Sequence, residues 1–187
     1  QPESAEVAVR WMNARVQRVL EELEGQFAEF RLSEALMNLY RLVWDDFCSW
    51  YLELVKPPYG EPIDAQTLAE TKAIFGDLLK MLHPFMPFQT EELWHWMEKR
   101  EGPQDALCIA AWPEREAYDA ALLAQAEAFQ QIVSEVRNIR KENQIPNREQ
   151  LEFSVQLGDG YPEAFESAII KLSNVDGVAR VADKVPN

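Results

Sequence analysis

Apolar residues recur at three- and four-residue spacing over most of the chain, a pattern that predicts a mainly helical fold. The first stripe runs from Val9 to Phe27 and predicts one amphipathic helix. A second helix is predicted from Ser33, as its N-cap, to Lys56, where two prolines stop it. Apolar residues fall on two stripes of this second helix: one contains Leu36, Tyr40, Val43, Phe47, Trp50 and Leu54, and the other contains Met37, Trp44, Cys48, Tyr51 and Val55. We therefore expect it to be packed from two sides.

Two further helices are predicted on either side of "HPFMPF", residues 83–88. Thr67 and Glu70 have capping-box spacing at the start of the third helix. That helix is expected to end near His83, because the following proline disfavours helical geometry in the residue before it. Thr90 is predicted to cap the fourth helix. We expect the bulky apolar side chains of this elbow to fill the gap between the helix ends; they are Phe85, Met86 and Phe88.

A long helix is predicted from about Asp119 to Asn143, before Pro146. Its apolar residues are expected to face inward; they are Leu122, Ala126, Phe129, Val133, Val136 and Ile139. Beyond it, apolar and polar residues alternate between Leu151 and Leu157, which is the period of a half-buried strand. A short helix and a second strand, "GVARVA", are predicted to follow.

These elements predict a mainly α protein with a small αβ unit at its C-terminus. We expect the helical bundle to span residues 1–146 and the αβ unit to span residues 147–187. A sheet of two strands with one helix buries little apolar surface, so the αβ unit is expected to be incomplete.

The composition narrows the class of protein. A hydrophobic content of 47% excludes an intrinsically disordered chain. No apolar run approaches the roughly 20 residues that a membrane span needs, so no membrane association is expected. The chain opens with Gln1 and a polar stretch that does not resemble a secretory signal, which favours a cytoplasmic protein. Cys48 and Cys108 are expected to be buried free thiols.

The charge is strongly acidic: 18 basic residues stand against 32 acidic ones, for a net charge of −14. This balance argues against nonspecific nucleic-acid binding, so a polyanion would have to meet a local basic patch. The segment "VRNIRKENQIPNR" at the end of the long helix is such a patch. Its basic residues either complement the helix dipole or bind phosphate groups. The candidate binding residues are Arg137, Asn138, Arg140, Lys141 and Arg148.

No catalytic or metal-ligating residues are predicted. The sequence contains no G-x-S-x-G elbow and no phosphate-binding glycine loop. Glu92 and His95 have the spacing that di-iron bundles use, but a second Glu-x-x-His is missing. Asn38 and Arg41 lie on a polar strip of the second helix that a solvated face explains.

Several segments together carry a resemblance to a known family. They are "LYRLVWDDFCSWYLELVKP", "LLKMLHPFMPFQTEELW", "AAWP" and "VRNIRKEN", in this order along the chain. Their combination resembles the anticodon-binding region of the valyl-tRNA synthetases, which are class I aminoacyl-tRNA synthetases. Single segments are shared with the isoleucyl and leucyl enzymes. The resemblance implies a helical bundle that follows a catalytic domain and precedes a small αβ unit.

The resemblance also implies a function. The chain is expected to be the module of a valine–tRNA ligase that binds the anticodon stem and loop of valine-accepting tRNA. Phosphate contacts are then expected from the basic segment, with Asn38 and Arg41 near the anticodon loop. The His-Ile-Gly-His and Lys-Met-Ser-Lys-Ser signatures of the catalytic domain are absent here, so no cofactor is expected in this chain. ATP with magnesium would act in the catalytic domain of the same polypeptide, and a monomer is expected.

Two alternatives remain open at this point. One is the equivalent domain of an isoleucyl- or leucyl-tRNA synthetase. The other is an acidic helical protein-interaction scaffold with no RNA role, which fits the net charge of −14 better and the order of the segments worse.

Overall fold

The computed structural model describes residues 1–156 and 160–181. They form a mainly helical protein with a small two-stranded parallel sheet, which confirms the predicted fold class. The helices are α1 (Glu3–Ala28), α2 (Leu32–Arg41), α3 (Leu52–Val55), α4 (Ala65–Leu82), α5 (Pro87–Met97), α6 (Ala120–Glu142) and α7 (Glu166–Ser173). The strands are β1 (Leu151–Gln156) and β2 (Val175–Val181). No helix in these residues is both long and apolar enough to cross a membrane.

The chain divides into two compact units. The first contains Gln1 and Ala8–Tyr118, and the second contains Pro2–Val7 and the chain from Asp119 onward. Helix α6 therefore belongs with the αβ elements. The division into domains at residue 146 stays a prediction. Residues 157–159 and 182–187 of the expected αβ unit, including Leu157 of the expected strand, lie outside the described residues.

The first unit is built around α1 from Ala8 onward and a long helical segment from Leu32 to Val55. The predicted stripe of α1 is buried from Val9 to Leu23. Helices α2 and α3 are joined without a break by a π-helical stretch, Leu42–Tyr51, which the sequence pattern did not predict. The predicted stop before the two prolines is confirmed, because α3 ends at Val55.

The expectation that this long segment is packed from two sides is wrong within the part of the chain that the structure describes. One side is buried and includes Leu39, Leu42 and Tyr51. The opposite side is exposed; it carries Leu36, Met37, Tyr40 and Trp44.

Cys48 and Cys108 are free but exposed, so their predicted burial is also wrong.

Two predicted helix caps are corrected. Helix α4 begins after Asp64, whose carboxylate accepts a hydrogen bond from the Thr67 backbone N–H at 2.9 Å. Thr67 is therefore inside the first turn, not at the cap. Helix α5 begins at Pro87, a residue type suited to the first helical position because its missing N–H would have no partner there. Thr90 lies in its first turn, and its hydroxyl donates to the Met86 carbonyl at 2.8 Å.

The elbow between α4 and α5 is only partly filled by its own apolar residues. Phe85 is half-buried and stacks on Phe27, with ring centroids 6.3 Å apart. Met86 is exposed, and Phe88 is 85% exposed. The expectation that all three side chains plug the elbow is therefore wrong for Met86 and Phe88.

Replacing Phe85 by Ala is expected to lower the free energy of unfolding by about 1 to 2 kcal/mol, because only part of the ring is removed from water. Phe88→Ala is the matched control and is expected to change it by less than about 0.5 kcal/mol. Urea denaturation followed by tryptophan fluorescence measures both. Equal effects of the two substitutions would contradict the different burial of the two rings.

Glu91 of α5 anchors the 3-10 turn Leu107–Ile109. Its carboxylate accepts the Leu107 N–H at 2.9 and 3.1 Å and lies 3.2 Å from Nε2 of His95. Desolvation alone would raise the pKa of Glu91. Hydrogen bonds from the Leu107 and Cys108 backbone, together with His95 and His83, outweigh it and hold the pKa below its ordinary value.

Glu91→Gln is expected to destabilise the protein near neutral pH and to have less effect in acid. Because the pKa of Glu91 is lowered on folding, its contribution is present above the unfolded-state pKa of about 4.3 and is lost as the pH falls through the lower folded-state pKa. Thermal unfolding of the wild type and the variant from neutral to acidic pH measures this difference. Glu92→Gln, on an exposed neighbour, is the control. A difference that does not change with pH would contradict the assignment.

In the second unit α6 packs against α7 and the 3-10 turn Glu163–Phe165, and α7 packs against β2. Asp119 caps α6 by accepting the Leu122 N–H at 3.0 Å, as its predicted start implied. Phe129 is fully buried and stacks on Phe165, with centroids 5.0 Å apart and an interplanar angle of 15°. Strands β1 and β2 pair in parallel, with an irregularity between Leu151 and Phe153. The two strands and the helix between them confirm the small αβ unit.

Candidate nucleic-acid interface

Arg140 is buried near the C-terminal end of α6, with 5% of its surface exposed. Its NH1 group donates to the carbonyls of Pro146 and Glu149, at 3.1 and 2.9 Å. Its NH2 group donates to the carbonyls of Ser173 and Asn174, at 2.9 and 3.0 Å. Arg140 thus ties α6 to the following loop and to the corner between α7 and β2. These four bonds use all the hydrogens on its two terminal nitrogens, and the side chain is buried, so we set it aside from the candidate contacts.

The other candidates of the basic segment are exposed. Arg137, Asn138 and Lys141 lie on α6, and Arg148 lies in the loop that follows. Residues 137–148 contain four basic residues, Arg137, Arg140, Lys141 and Arg148, and a single acidic one, Glu142. This end of the second unit is therefore locally basic within an acidic chain. Positive charge in a last helical turn also complements the helix dipole, and both roles are compatible here.

A cleft of about 500 Å³ opens beside these residues. It lies entirely within the second unit and joins the end of α6 to the α7–β2 corner. Its lining residues are Val136, Arg137, Arg140, Asn147, Leu172, Ser173 and Asn174. The sequence reasoning placed Asn147 in the basic segment but did not single out Ser173 or Asn174, which the fold brings to Arg140.

The remaining two candidates lie in the first unit. The Asn38 side chain is half-buried and donates from Nδ2 to Oε2 of Glu22 at 2.6 Å. Arg41, at the end of α2, is exposed. On either side of Arg41 along the chain, the exposed rings of Tyr40 and Trp44 stack with their centroids 6.3 Å apart and an interplanar angle of 14°. This aromatic pair was not predicted as exposed, because the two-stripe pattern suggested burial.

A second cleft, of about 570 Å³, lies between α4 and α5. Its basic groups are largely engaged by neighbours. Lys80 Nζ lies 2.9 Å from Asp77, and the guanidinium of Arg100 stacks on Trp94 at 3.7 Å. The edge at the end of α6 carries three exposed basic side chains, those of Arg137, Lys141 and Arg148. No cluster of three or more His, Cys, Asp or Glu side chains suited to a metal ion occurs in residues 1–156 and 160–181.

The fold and this edge define a class of protein: a helical module with a small αβ unit that carries local positive charge in an acidic chain. A family model of the anticodon-binding domain of tRNA ligases matches residues 9–155. The chain belongs to this family.

Similar curated proteins are valine–tRNA ligases. One from Christiangramia forsetii is 40% identical over 185 residues, which cover 99% of this chain and 21% of that protein. Those from Porphyromonas gingivalis and Parabacteroides distasonis are 42% and 43% identical over 185 residues, again covering 98% of this chain and 21% of each protein. The chain therefore spans about a fifth of the length of these relatives.

Proposed function

We propose that this chain is the anticodon stem and loop-binding module of a valine–tRNA ligase. The match of the anticodon-binding family model to residues 9–155 carries this proposal. The valine–tRNA ligases that align with nearly the whole chain support the valine specificity. The isoleucyl, leucyl and scaffold alternatives are not better supported.

The proposed RNA contacts are the exposed polar residues at the end of α6 and in the loop after it. Arg137, Lys141 and Arg148 would meet phosphate groups, and Asn138 would donate hydrogen bonds. In the first unit, Arg41 is exposed and suited to an anionic partner. Asn38 would have to leave its hydrogen bond to Glu22 in order to contact RNA, so it is the weaker candidate.

The activity proposed for the longer polypeptide is the ATP-dependent attachment of valine to its tRNA. Its catalytic domain, ATP and magnesium would act outside the chain described here, which spans 21% of its relatives. We also propose a cytoplasmic location and a monomeric state.

Replacing Lys141 or Arg148 by Met is expected to weaken tRNA binding at low salt. Each true phosphate contact that is lost should reduce the slope of log K against log salt by about 0.7 to 0.9, because fewer counterions are released. Fluorescence anisotropy with labelled valine tRNA at several salt concentrations measures the slope.

Lys72→Met is the matched control, since it removes one exposed positive charge from α4 in the other unit. It is expected to leave the slope unchanged. Slopes that fall equally for Lys72 and Lys141 would indicate a general charge effect. An unchanged slope for both Lys141→Met and Arg148→Met would remove the basic segment from the interface.

A further inference from the structure

One side of the long helical segment in the first unit is apolar and exposed. Its four large side chains are 41 to 59% exposed; they are Leu36, Met37, Tyr40 and Trp44. Tyr40 lies three or four residues from each of the others, so the four side chains share one helix face. The stacked rings of Tyr40 and Trp44 confirm that this face is continuous across the start of the π-helical stretch. We call this surface the Tyr40 face.

The Tyr40 face has the character of a packing surface. Single exposed apolar side chains are normal on a protein, but a contiguous group of them marks an interaction site. Two members are aromatic and one is Met, which are residue types enriched where proteins pack against each other. The opposite side of the same segment already forms core, because Ala35, Leu39 and Leu42 are 0% exposed. The Tyr40 face is therefore a second apolar side, beyond the one that the core uses.

The sequence and the length of the relatives indicate where a partner for this second side lies. A helix that is apolar on two sides is normally packed on both. The described residues bury only one side of the segment Leu32–Val55. The chain covers 21% of its valine–tRNA ligase relatives, so about four-fifths of those polypeptides lies outside the matched region. A partner for the Tyr40 face is therefore expected in that remaining part of the longer polypeptide.

The charge around the face favours a protein partner over RNA. Residues 29–46 contain four acidic residues and two basic ones, in a chain with a net charge of −14. Such surroundings repel phosphate groups. Arg41 is not a member of the Tyr40 face, so its proposed contact with RNA does not require this apolar surface.

We propose that an amphipathic helix of the longer polypeptide, from outside these 187 residues, covers the Tyr40 face. The face extends from Leu36 to Trp44, which is about 13 Å of helix and enough to contact two turns of a partner. Side-chain ridges of that helix would pack into the grooves beside Met37 and Tyr40. The inference rests on the proposed function only because it requires the longer polypeptide.

Hydroxyl-radical footprinting tests this assignment, because it oxidises Met and Trp side chains that solvent reaches. The oxidation rates are compared between the 187-residue chain and the full-length ligase proposed to contain it. We expect Met37 and Trp44 to react roughly tenfold more slowly in the full-length ligase, because a covered side chain is reached only when the contact opens. Met86 and Trp96 are the matched controls, since they are 41% and 81% exposed and lie outside the face.

The controls are expected to react at similar rates in both proteins. Equal rates for Met37 and Trp44 in the two proteins, or equal slowing of these residues and the controls, would overturn the proposal. Slow oxidation of Met37 and Trp44 that already occurs in the 187-residue chain, and that grows with its concentration, would assign the face to a second copy. Valine tRNA is expected to leave both rates unchanged in this chain, and protection by tRNA would assign the face to RNA instead.

Met37→Glu separates this contact from the stability of the chain itself. Met37 is 51% exposed and Glu is a comparable helix former, so the unfolding midpoint of the 187-residue chain is expected to stay unchanged. In the full-length ligase, a charge placed in the apolar contact is expected to raise the oxidation rate of Trp44 towards its rate in the 187-residue chain. Met86→Glu is the control and is expected to leave the Trp44 rate unchanged.

Protection of Trp44 that survives Met37→Glu would contradict packing through the Tyr40 face. The outcomes also distinguish this inference from the proposed function. If Trp44 is protected in the full-length ligase but the 187-residue chain does not bind tRNA, the proposed RNA binding fails alone. If the chain binds valine tRNA and Trp44 is not protected in the full-length ligase, this inference fails alone.

Discussion

Replacing Arg140 by Met is expected to lower the free energy of unfolding of the second unit by about 3 kcal/mol. The substitution keeps much of the buried aliphatic stem but removes the donors of four hydrogen bonds. Hydrogen bonds to a charged group contribute roughly 1.5 to 3 kcal/mol each, but they are not additive, and the more exposed carbonyls can bond to water once the guanidinium is gone. The loss at the Ser173 carbonyl is expected to dominate, because that bond is buried.

Hydrogen exchange of the α7 and β2 amides measures this effect in the unit where it arises. Arg140→Lys is expected to recover part of the stability, since it keeps the charge but cannot bridge four carbonyls with a planar fork. Lys141→Met, on the exposed neighbour, is expected to cost less than about 0.5 kcal/mol. If Arg140→Met proved as mild as Lys141→Met, Arg140 would not be the tie between α6 and the α7–β2 corner.

Phe129→Ala is expected to destabilise the second unit by about 3 to 5 kcal/mol, the range measured for large-to-small changes at buried aromatic sites. The ring is 0% exposed and stacks on Phe165, which is also fully buried. The substitution removes the aromatic pair and leaves a cavity between α6 and the start of α7.

Phe129→Leu separates the size of the side chain from its aromatic character, and it is expected to cost less because it keeps most of the volume. Hydrogen exchange of the α6 and α7 amides measures both variants. A loss below about 1 kcal/mol for Phe129→Ala would contradict the placement of this pair at the centre of the second unit.

Helix α6 illustrates both the success and the limit of the sequence pattern. Its start, its end and most of its buried stripe follow from periodicity. The stripe was expected to end with Ile139, which is exposed, and Arg140 takes the inward position instead. Helical spacing predicts the inward position of Arg140, because residues four and eleven positions apart share a helix face, and Arg140 lies four residues after Val136 and eleven after Phe129. Hydrophobicity alone selected the neighbouring isoleucine.

The π-helical stretch between α2 and α3 is a second case. The ten residues Leu42–Tyr51 adopt the π-helical conformation, and they contain no glycine or proline that would have indicated it in the sequence. Wider π turns change which side chains share a face, so the stripes drawn at helical spacing did not match the buried set. Trp44, in this stretch, was expected inside and lies exposed; Tyr40 is exposed as well, but it lies in α2, before the stretch begins.

The candidate site could be predicted only in part. The basic run at the end of α6 is visible in the sequence because its residues are neighbours. Ser173 and Asn174 join Arg140 only after the chain has formed β1 and α7 and returned, and no local pattern marks that meeting. The sequence likewise does not show that Arg140 is a buried structural arginine, because its role depends on the four carbonyls that surround it in the fold.

The central claim is that this chain binds valine tRNA through its anticodon arm, and a salt titration of the 187-residue chain against fluorescent valine tRNA tests it most directly. An anticodon-swapped valine tRNA and an isoleucine tRNA serve as competitors. The account predicts binding that weakens steeply with salt and that both competitors displace less well than unlabelled valine tRNA. No binding even at low salt, or equal displacement by all three RNAs, would contradict it.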